Sequence, residues 1–204
     1  MSNHEYTFLN LGDSYTIGES VPYKDNFPSQ TVNQLRVRGF NFKDPEILAK
    51  TGWTTDELQT AIKGHHVLHS YDFVTLLIGV NNQYRGRPVT EYGEQLEGLL
   101  KQAVFFAGND PGHVFALSIP DWGITPFASG SKRLQISRQI DEYNEVNRNI
   151  AAQNNVQYID ITQWTREAAS DLSLLASDGL HPSAKEYQRW AARLADCITT
   201  KLAH

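Results

Sequence analysis

The chain has 204 residues, of which 40% are hydrophobic and 20% are charged, and these proportions exclude a disordered or membrane-spanning class. Its formal net charge of −5, with no run of Lys or Arg, argues against nucleic acid as a partner because a polyanion repels an acidic surface. The single cysteine, Cys197, excludes an internal disulfide framework and a thiolate metal site.

One domain over residues 1–204 is expected, since no linker rich in Pro, Gly or Ser divides the chain. The longest apolar stretch, residues 73–80, is too short to cross a bilayer, so no integral membrane segment is expected. The first residues lack the basic-then-apolar layout of a secretory signal. A native N-terminus therefore predicts a cytoplasmic protein, whereas a trimmed leader would make it secreted or periplasmic. The sequence does not indicate the oligomeric state.

Short apolar runs alternate with longer amphipathic stretches along the chain. The apolar runs predict buried strands at residues 6–11, 46–49, 72–78, 113–119 and 156–161. Apolar residues at helical spacing predict helices near residues 95–104, 134–152 and 183–202, the last with Cys197 buried in its apolar face. Strands that alternate with helices imply parallel βαβ units. The predicted fold is therefore α/β, a three-layer α/β/α arrangement with about five parallel strands.

This architecture predicts the position of a functional site before any motif is considered. In open parallel sheets, ligands bind beyond the carboxyl ends of the strands. The chemistry should therefore follow residues 11, 49, 78, 119 and 161 in the chain.

The first strand is followed by Gly12-Asp13-Ser14. A serine at a strand-to-helix turn can project its hydroxyl from the sheet edge, while its own N–H points at an oxyanion. Gly12 allows a tight turn and a close approach of substrate. The alternative is an ordinary helix N-cap, for which Ser and Asp are both favoured.

The next two strands are also followed by groups that could stabilise an anion. Gly52 precedes a predicted helix start at Thr54 or Thr55, so its N–H is free to point at an anion, although an ordinary turn glycine explains it equally well. Asn81 lies just beyond the third strand, where its side-chain N–H could serve as an oxyanion donor. An Asx-type turn that uses Asn81 or Asn82 is the alternative.

An Asp–His pair follows the fifth strand, just before the last helix. Asp178 and His181 are three residues apart on a turn, so a carboxylate can orient an imidazole that takes the serine proton. The same spacing occurs in Asp110 and His113, but that pair immediately precedes a strand and belongs to the opposite edge of the sheet. Topology therefore selects His181 as the candidate base.

His65, His66 and His69 have spacings that could place metal ligands on one helix face. Gly64 interrupts that helix, no acidic ligand lies close by, and the segment precedes a strand. A solvated connection between helix and strand is favoured, and no metal site is predicted.

Together these segments resemble the signature blocks of the SGNH hydrolases, also called the GDSL esterase/lipase family. In the family's order they are Gly12-Asp13-Ser14, Gly52, Gly79-Val80-Asn81 and Asp178-Gly179-Leu180-His181-Pro182. The resemblance implies a flavodoxin-like fold and hydrolysis without a cofactor. It also implies a triad of Ser14, His181 and Asp178, with the Ser14 N–H, the Gly52 N–H and the Asn81 side chain as oxyanion donors. Asn82 stands where the family often has Asp, so a charge network around Asn81 does not carry over.

The expected activity is hydrolysis of small or short-chain carboxylic esters through an acyl-enzyme. Aromatic and apolar residues in the loops on the same face could line an acyl pocket or form a small satellite core; they are Tyr15, Trp53, Tyr84, Trp122, Ile124 and Phe127. Arg85 and Arg87 are interpreted as solvated surface. An acyltransferase, a carbohydrate deacetylase and a non-catalytic flavodoxin-like binding module remain the alternatives.

Overall fold

The computed structural model describes residues 4–64, 70–128 and 130–203 of the chain. Its five strands are β1 (Phe8–Gly12), β2 (Glu46–Ala49), β3 (Phe73–Leu77), β4 (Val114–Leu117) and β5 (Gln157–Ile159). They form one sheet in the order β2-β1-β3-β4-β5, and every neighbouring pair is parallel. This is the strand order of flavodoxin-like folds. The predicted parallel sheet is confirmed; four of the predicted runs each contain one strand, and β1 extends one residue beyond the predicted run 6–11.

The helices of the described residues are α1 (Ser14–Ile17), α2 (Phe27–Val37), α3 (Thr55–Gly64), α4 (Val80–Tyr84), α5 (Val89–Phe106), α6 (Arg133–Gln153), α7 (Thr162–Arg166) and α8 (Ala184–Leu202). Helices α2 and α8 pack together in one layer, and α3, α5 and α6 pack side by side in the other. The three-layer α/β/α prediction is confirmed. Helix α2 follows Asn26, whose side chain caps it by accepting a hydrogen bond from Ser29 N, and sequence analysis did not identify it.

The core lies on both faces of the sheet, and strands β1 and β3 are buried along their whole length. Between the sheet and the α2/α8 layer, Phe27 packs against Tyr187 and Trp190, with ring centroids 6.3 and 5.9 Å away. Cys197 is buried on α8, as the apolar spacing predicted. Burial of these large rings supplies much of the hydrophobic stabilisation that holds α8, and the segment before it, against the sheet.

The turn from β1 into α1 requires glycine at position 12. A β-carbon on Gly12 would lie 2.0 Å from Thr16 Oγ1 and 2.5 Å from the Leu77 carbonyl oxygen, far inside van der Waals contact. The absence of a side chain lets α1 begin immediately above the end of β1, next to the end of β3. Ser14, the first residue of α1, is thereby brought to the carboxyl edge of the sheet.

Two expectations from the sequence concern residues away from this edge. His113 lies just before β4, at the amino edge, where its ring packs against Phe73 with centroids 4.7 Å apart. The topological argument against the Asp110/His113 pair is therefore confirmed. His65, His66 and His69 lie outside the described residues. Within the described residues, no helix is both long and apolar enough to cross a bilayer.

Candidate active site

The structure brings Ser14, His181 and Asp178 into one hydrogen-bonded series at the carboxyl edge of the sheet. His181 Nε2 lies 2.9 Å from Ser14 Oγ, and His181 Nδ1 lies 2.6 Å from Asp178 Oδ2. Ser14 and His181 are 5% and 7% exposed, so their hydrogen bond is shielded from most competing water. This geometry allows the imidazole to take a proton from the hydroxyl while the carboxylate holds the ring.

Hydrogen bonds from its own turn stabilise the ionised form of Asp178. Its Oδ1 accepts hydrogen bonds from the N–H groups of Leu180 and His181 at 2.9 and 3.0 Å, and its Oδ2 accepts one from Ser20 Oγ at 2.8 Å. Partial burial favours the neutral acid, but these donors and the His181 ring lower the pKa of Asp178 to about 2. The carboxylate is therefore ionised throughout the range in which imidazole titrates.

Sequence analysis did not predict the contact between Ser20 and Asp178. Ser20 lies 158 residues before Asp178, and no local pattern indicates that the two meet. Its backbone φ of +65° falls in the left-handed region, which is uncommon for a residue with a β-carbon. A non-glycine residue in this strained conformation, with its hydroxyl on Asp178, indicates that the side chain itself is required.

Asp13, rather than Ser14, caps the short helix α1. Its side chain accepts the N–H of Tyr15 at 3.0 Å, which leaves the Ser14 hydroxyl with His181. The alternative in which Ser14 is the N-cap is therefore wrong. Asp13 is fully buried, and desolvation raises its pKa to about 7 even though the hydrogen bonds from Tyr15 and Asn81 lower it.

Gly52 and Asn81, the two further predicted oxyanion donors, lie with Ser14 along the same cleft. Gly52 has a φ of +84°, a left-handed conformation that favours glycine. Asn81 Nδ2 donates to the Trp53 carbonyl at 2.9 Å and lies 3.4 Å from Asp13 Oδ2. The amide is thus held by groups distant in sequence rather than by an Asx-type turn, and the oxyanion role of both residues stays a prediction.

Asn82 has a structural task that explains an amide at this position. It is fully buried, its Oδ1 accepts the N–H of Thr55 at 3.1 Å, and its Nδ2 donates to Thr55 Oγ1 at 2.7 Å. One side chain therefore accepts and donates at the start of α3 without carrying a charge. An ionised carboxylate could accept but could not donate.

A cleft of about 180 Å³ opens beside the Ser14 hydroxyl. Its lining consists of Ser14, Tyr15, Thr51, Gly52, Val80, Asn81, Tyr84, Trp122, Phe127, Leu180 and His181. Four of the predicted aromatic residues belong to it, namely Tyr15, Tyr84, Trp122 and Phe127. Thr51, Val80 and Leu180 were missed, although each lies within two residues of a predicted site residue.

Trp53 and Ile124 do not line this cleft. The Trp53 side chain packs against the hydrophobic core, so its contribution near the site is a backbone carbonyl. Ile124 lines a separate surface groove with Arg133 and Leu134. Both residues follow strands as expected, but the direction of a side chain in a loop depends on backbone angles that sequence spacing does not specify.

Trp122, Tyr84 and Phe127 form an aromatic wall of the cleft, and Trp122 lies at its centre. Trp122 Nε1 donates to Gln83 Oε1 at 2.7 Å, and Gln83 Nε2 donates to Gln139 on α6 at 2.9 Å. The rings of Tyr84 and Phe127 meet it edge to face, with centroids 5.4 and 6.1 Å away. Tyr84 and Phe127 are 58% and 50% exposed, so this wall lies at the mouth of the cleft and does not form a satellite core.

Arg85 is exposed at the surface, as interpreted from the sequence, whereas Arg87 is partly buried, and both are paired with acidic side chains. Arg85 donates to the Gly52 carbonyl at 2.7 Å and to Glu57 at 3.1 Å. Arg87 donates to Asp56 at 2.6 Å and to Glu91 on α5 at 3.2 Å. Both arginines therefore connect the segment after β3 to the first turn of α3.

Among residues 4–64, 70–128 and 130–203, no three His, Cys, Asp or Glu side chains converge in a way that could hold a metal ion. The residues that converge at the sheet edge instead comprise a hydroxyl, an imidazole and a carboxylate, which is the residue set of acyl transfer through serine.

Comparison with known proteins agrees with this residue set. The sequence model of the GDSL-like lipase/acylhydrolase family matches residues 11–189. The chain belongs to this family. The match includes every residue of the predicted triad and oxyanion hole. No curated protein sequence matches the chain.

Solved structures of other proteins share the fold at low sequence identity. A lipolytic G-D-S-L protein from Veillonella parvula superposes with a TM-score of 0.75 at 19% identity, over 95% of this chain and 98% of the other. The acetylxylan esterase Axe2 from Geobacillus stearothermophilus gives 0.74 at 19%, over 95% and 94%. The esterase EstA from Pseudoalteromonas sp. gives 0.70 at 16%, over 98% and 100%.

The buried Asp13 carboxyl predicts a pH-dependent gain from Asp13→Asn. Below the ordinary pKa of 3.8 the acid is neutral in folded and unfolded chains, so its burial costs little. As pH rises towards about 7, the unfolded chain loses the proton first, and the folded state loses up to roughly 4 kcal/mol of stability. The Tm of Asp13→Asn relative to the native protein should therefore increase between pH 4 and pH 8.

Asp110→Asn is the matched control, because Asp110 caps a short 3-10 helix from an exposed position. The increase in the Tm difference between pH 4 and pH 8 should be larger for Asp13→Asn than for Asp110→Asn. A Tm difference for Asp13→Asn that is equal at pH 4 and pH 8 would show that Asp13 is not buried as a carboxyl of raised pKa.

Proposed function

We propose that this chain is a serine esterase that hydrolyses carboxylic esters by two-step acyl transfer. The observation that carries the proposal is the continuous series from Ser14 Oγ through the His181 ring to Asp178, with distances of 2.9 and 2.6 Å. Ser14 is the nucleophile, His181 the general base and Asp178 the residue that orients and stabilises the imidazolium. Membership of an acylhydrolase family supports the same reaction class.

In the first step, Ser14 Oγ attacks the ester carbonyl carbon and its proton passes to His181 Nε2. The oxyanion that forms is stabilised by the N–H groups of Ser14 and Gly52 and by the Asn81 side chain. Collapse of the intermediate expels the alcohol, which takes the proton from His181. Water then attacks the acyl-enzyme with the same base, releases the carboxylic acid and restores the serine hydroxyl.

The cleft favours a small, uncharged acyl group. Its volume is about 180 Å³, and none of the described residues that line it carries an ammonium, a guanidinium or a carboxylate group. A charged acyl group would enter this lining without a partner, which is costly. Trp122 closes one side, because its ring is held by Gln83 and flanked by Tyr84.

Removal of acetyl groups from carbohydrate is a second candidate. The exposed rings of Tyr84 and Phe127 at the mouth of the cleft provide flat apolar faces of the kind that sugar rings contact. Axe2, one of the structures with the same fold, is an acetylxylan esterase. Comparing kcat/KM for acetylated xylo-oligosaccharides and nitrophenyl acetate separates the two candidates.

Ser14→Ala and His181→Gln should each lower kcat for nitrophenyl acetate by about 10⁴-fold or more, because the members of a triad act as a unit. The chain supplies a matched control in His113→Gln, since His113 has the same spacing from Asp110 but lies at the opposite edge of the sheet. That variant should keep kcat within about twofold. Esterase activity that survives Ser14→Ala in purified, folded protein would disprove the proposed nucleophile.

Trp122→Ala should shift the acyl preference towards longer chains. Removal of the indole opens the cleft, so the ratio of kcat/KM for nitrophenyl hexanoate to that for nitrophenyl acetate should rise by about tenfold or more, as expected for several buried methylenes. Trp164→Ala is the control, because Trp164 packs under Arg189 away from the cleft lining. An unchanged ratio in Trp122→Ala would mean that the acyl chain does not contact this wall.

A further inference from the structure

Arg85 lies at the end of α4, and its side chain donates hydrogen bonds to the segment that follows β2. Its Nη2 donates to the Gly52 carbonyl oxygen at 2.7 Å, and its Nη1 donates to Glu57 Oε1 at 3.1 Å. The planar guanidinium thus bridges a backbone carbonyl and a carboxylate at the same time, a geometry that suits arginine better than lysine.

The turn that contains Gly52 is closed by a hydrogen bond of 3.2 Å from the Trp53 N–H to the Lys50 carbonyl. Gly52 adopts a φ of +84° within it, and a glycine can leave that conformation at small cost. A donor stabilises an oxyanion only when it is oriented before the charge develops. The Gly52 N–H therefore needs contacts that restrict the backbone on which it stands.

Those contacts come from the segment of α4, which follows β3, the strand that lies on the other side of β1 from β2. The carbonyls of Gly52 and Trp53 are consecutive, and both accept hydrogen bonds from this segment, from Arg85 at 2.7 Å and from Asn81 at 2.9 Å. These two hydrogen bonds hold the two peptide groups that follow Gly52, and they therefore restrict the backbone rotation at Gly52 that would reorient its N–H. Asn81 is already a proposed oxyanion donor, whereas Arg85 has no part in the chemistry described so far.

Glu57 holds the Arg85 guanidinium in place. Its Oε1 accepts from Arg85, while its Oε2 accepts the Thr54 N–H at 2.9 Å and the Thr54 hydroxyl at 3.0 Å, as in a helix capping box. The carboxylate is thereby locked to the first turn of α3. Arg85 is therefore held through Nη1 by the Glu57 carboxylate, and through Nη2 it holds the Gly52 carbonyl.

We propose that Arg85 is a positioning residue for the oxyanion hole, which acts by holding the Gly52 turn in its left-handed conformation so that the Gly52 N–H faces the substrate oxyanion. This inference rests on the proposed esterase function. Arg85 makes no contact with the reacting atoms, so its removal should weaken stabilisation of the transition state while leaving substrate binding largely intact.

Arg87 provides a control within the same segment. It also pairs with the first turn of α3, through Asp56 at 2.6 Å, and it has a second acidic partner in Glu91 at 3.2 Å. Its side-chain hydrogen bonds go to carboxylates, whereas that of Arg85 to Gly52 reaches the turn itself. Both arginines therefore pair with the first turn of α3, but the second partner of Arg85 is the Gly52 carbonyl and that of Arg87 is the Glu91 carboxylate.

The experiment compares Arg85→Met with Arg87→Met, since methionine keeps an unbranched apolar stem and cannot donate. We expect Arg85→Met to lower kcat for nitrophenyl acetate by about tenfold with KM within about twofold, because misorientation of one oxyanion donor loses part of its contribution. Arg87→Met should keep kcat within about twofold. The decreases in Tm should be similar in the two variants.

Arg85→Lys and Gly52→Ala complete the test. Arg85→Lys should recover part of the lost kcat, since an ammonium can still donate to the Gly52 carbonyl. In a Gly52→Ala background, where a β-carbon at φ +84° already disturbs the turn, Arg85→Met should cost much less than in the native protein. Additive losses would mean that Arg85 does not act through Gly52.

A decrease in kcat for Arg85→Met no larger than that for Arg87→Met would overturn the inference and leave Arg85 as a bridge between helices. Ser14→Ala, measured in the same series, separates this outcome from failure of the proposed function. If Ser14→Ala is inactive while Arg85→Met is normal, the positioning role alone is wrong. If Ser14→Ala is active, the esterase proposal is wrong, and the role assigned to Arg85 is wrong with it.

Discussion

The hydrogen bond of 2.9 Å between His181 Nε2 and Ser14 Oγ is the contact on which the site depends, and it joins residues 167 positions apart in the chain. It exists because parallel strands place the turns after β1 and the segment before α8 at the same edge of the sheet. The absence of a side chain at Gly12 lets α1 start there, and the Asp13 cap leaves the serine hydroxyl free for the imidazole. The large rings of α8 in the core secure the other partner.

Two carboxyl groups near the serine have pKa values shifted in opposite directions, and their surroundings explain why. Asp178 is partly exposed and receives four hydrogen bonds, so its pKa falls to about 2 and its charge is available to stabilise an imidazolium. Asp13 is fully buried with fewer donors, and its pKa rises to about 7. In its neutral form, Asp13 beside Asn81 would oppose the proposed oxyanion less than an ionised carboxylate would.

The sheet, the three long helices and the segments that carry the chemistry were predictable, because each depends on periodicity or on position after a strand. Contacts between loops were not. Ser20 reaches Asp178 through a left-handed backbone that its sequence does not indicate. Arg85, after β3, reaches Gly52, after β2, although β1 separates the two strands in the sheet. Trp53 follows a strand as predicted, yet its side chain turns into the core. In each case a loop conformation decides the contact, and that conformation is set by partners distant in the chain.

The most direct measurement of the central claim is covalent labelling with a fluorophosphonate, followed by mass spectrometry of the digested protein. Such a reagent phosphonylates a serine whose hydroxyl is activated by a neighbouring base. The account predicts one adduct, on Ser14, which is absent in Ser14→Ala and forms much more slowly in His181→Gln. No adduct in the folded native protein, or an adduct on another residue that persists in Ser14→Ala, would contradict it.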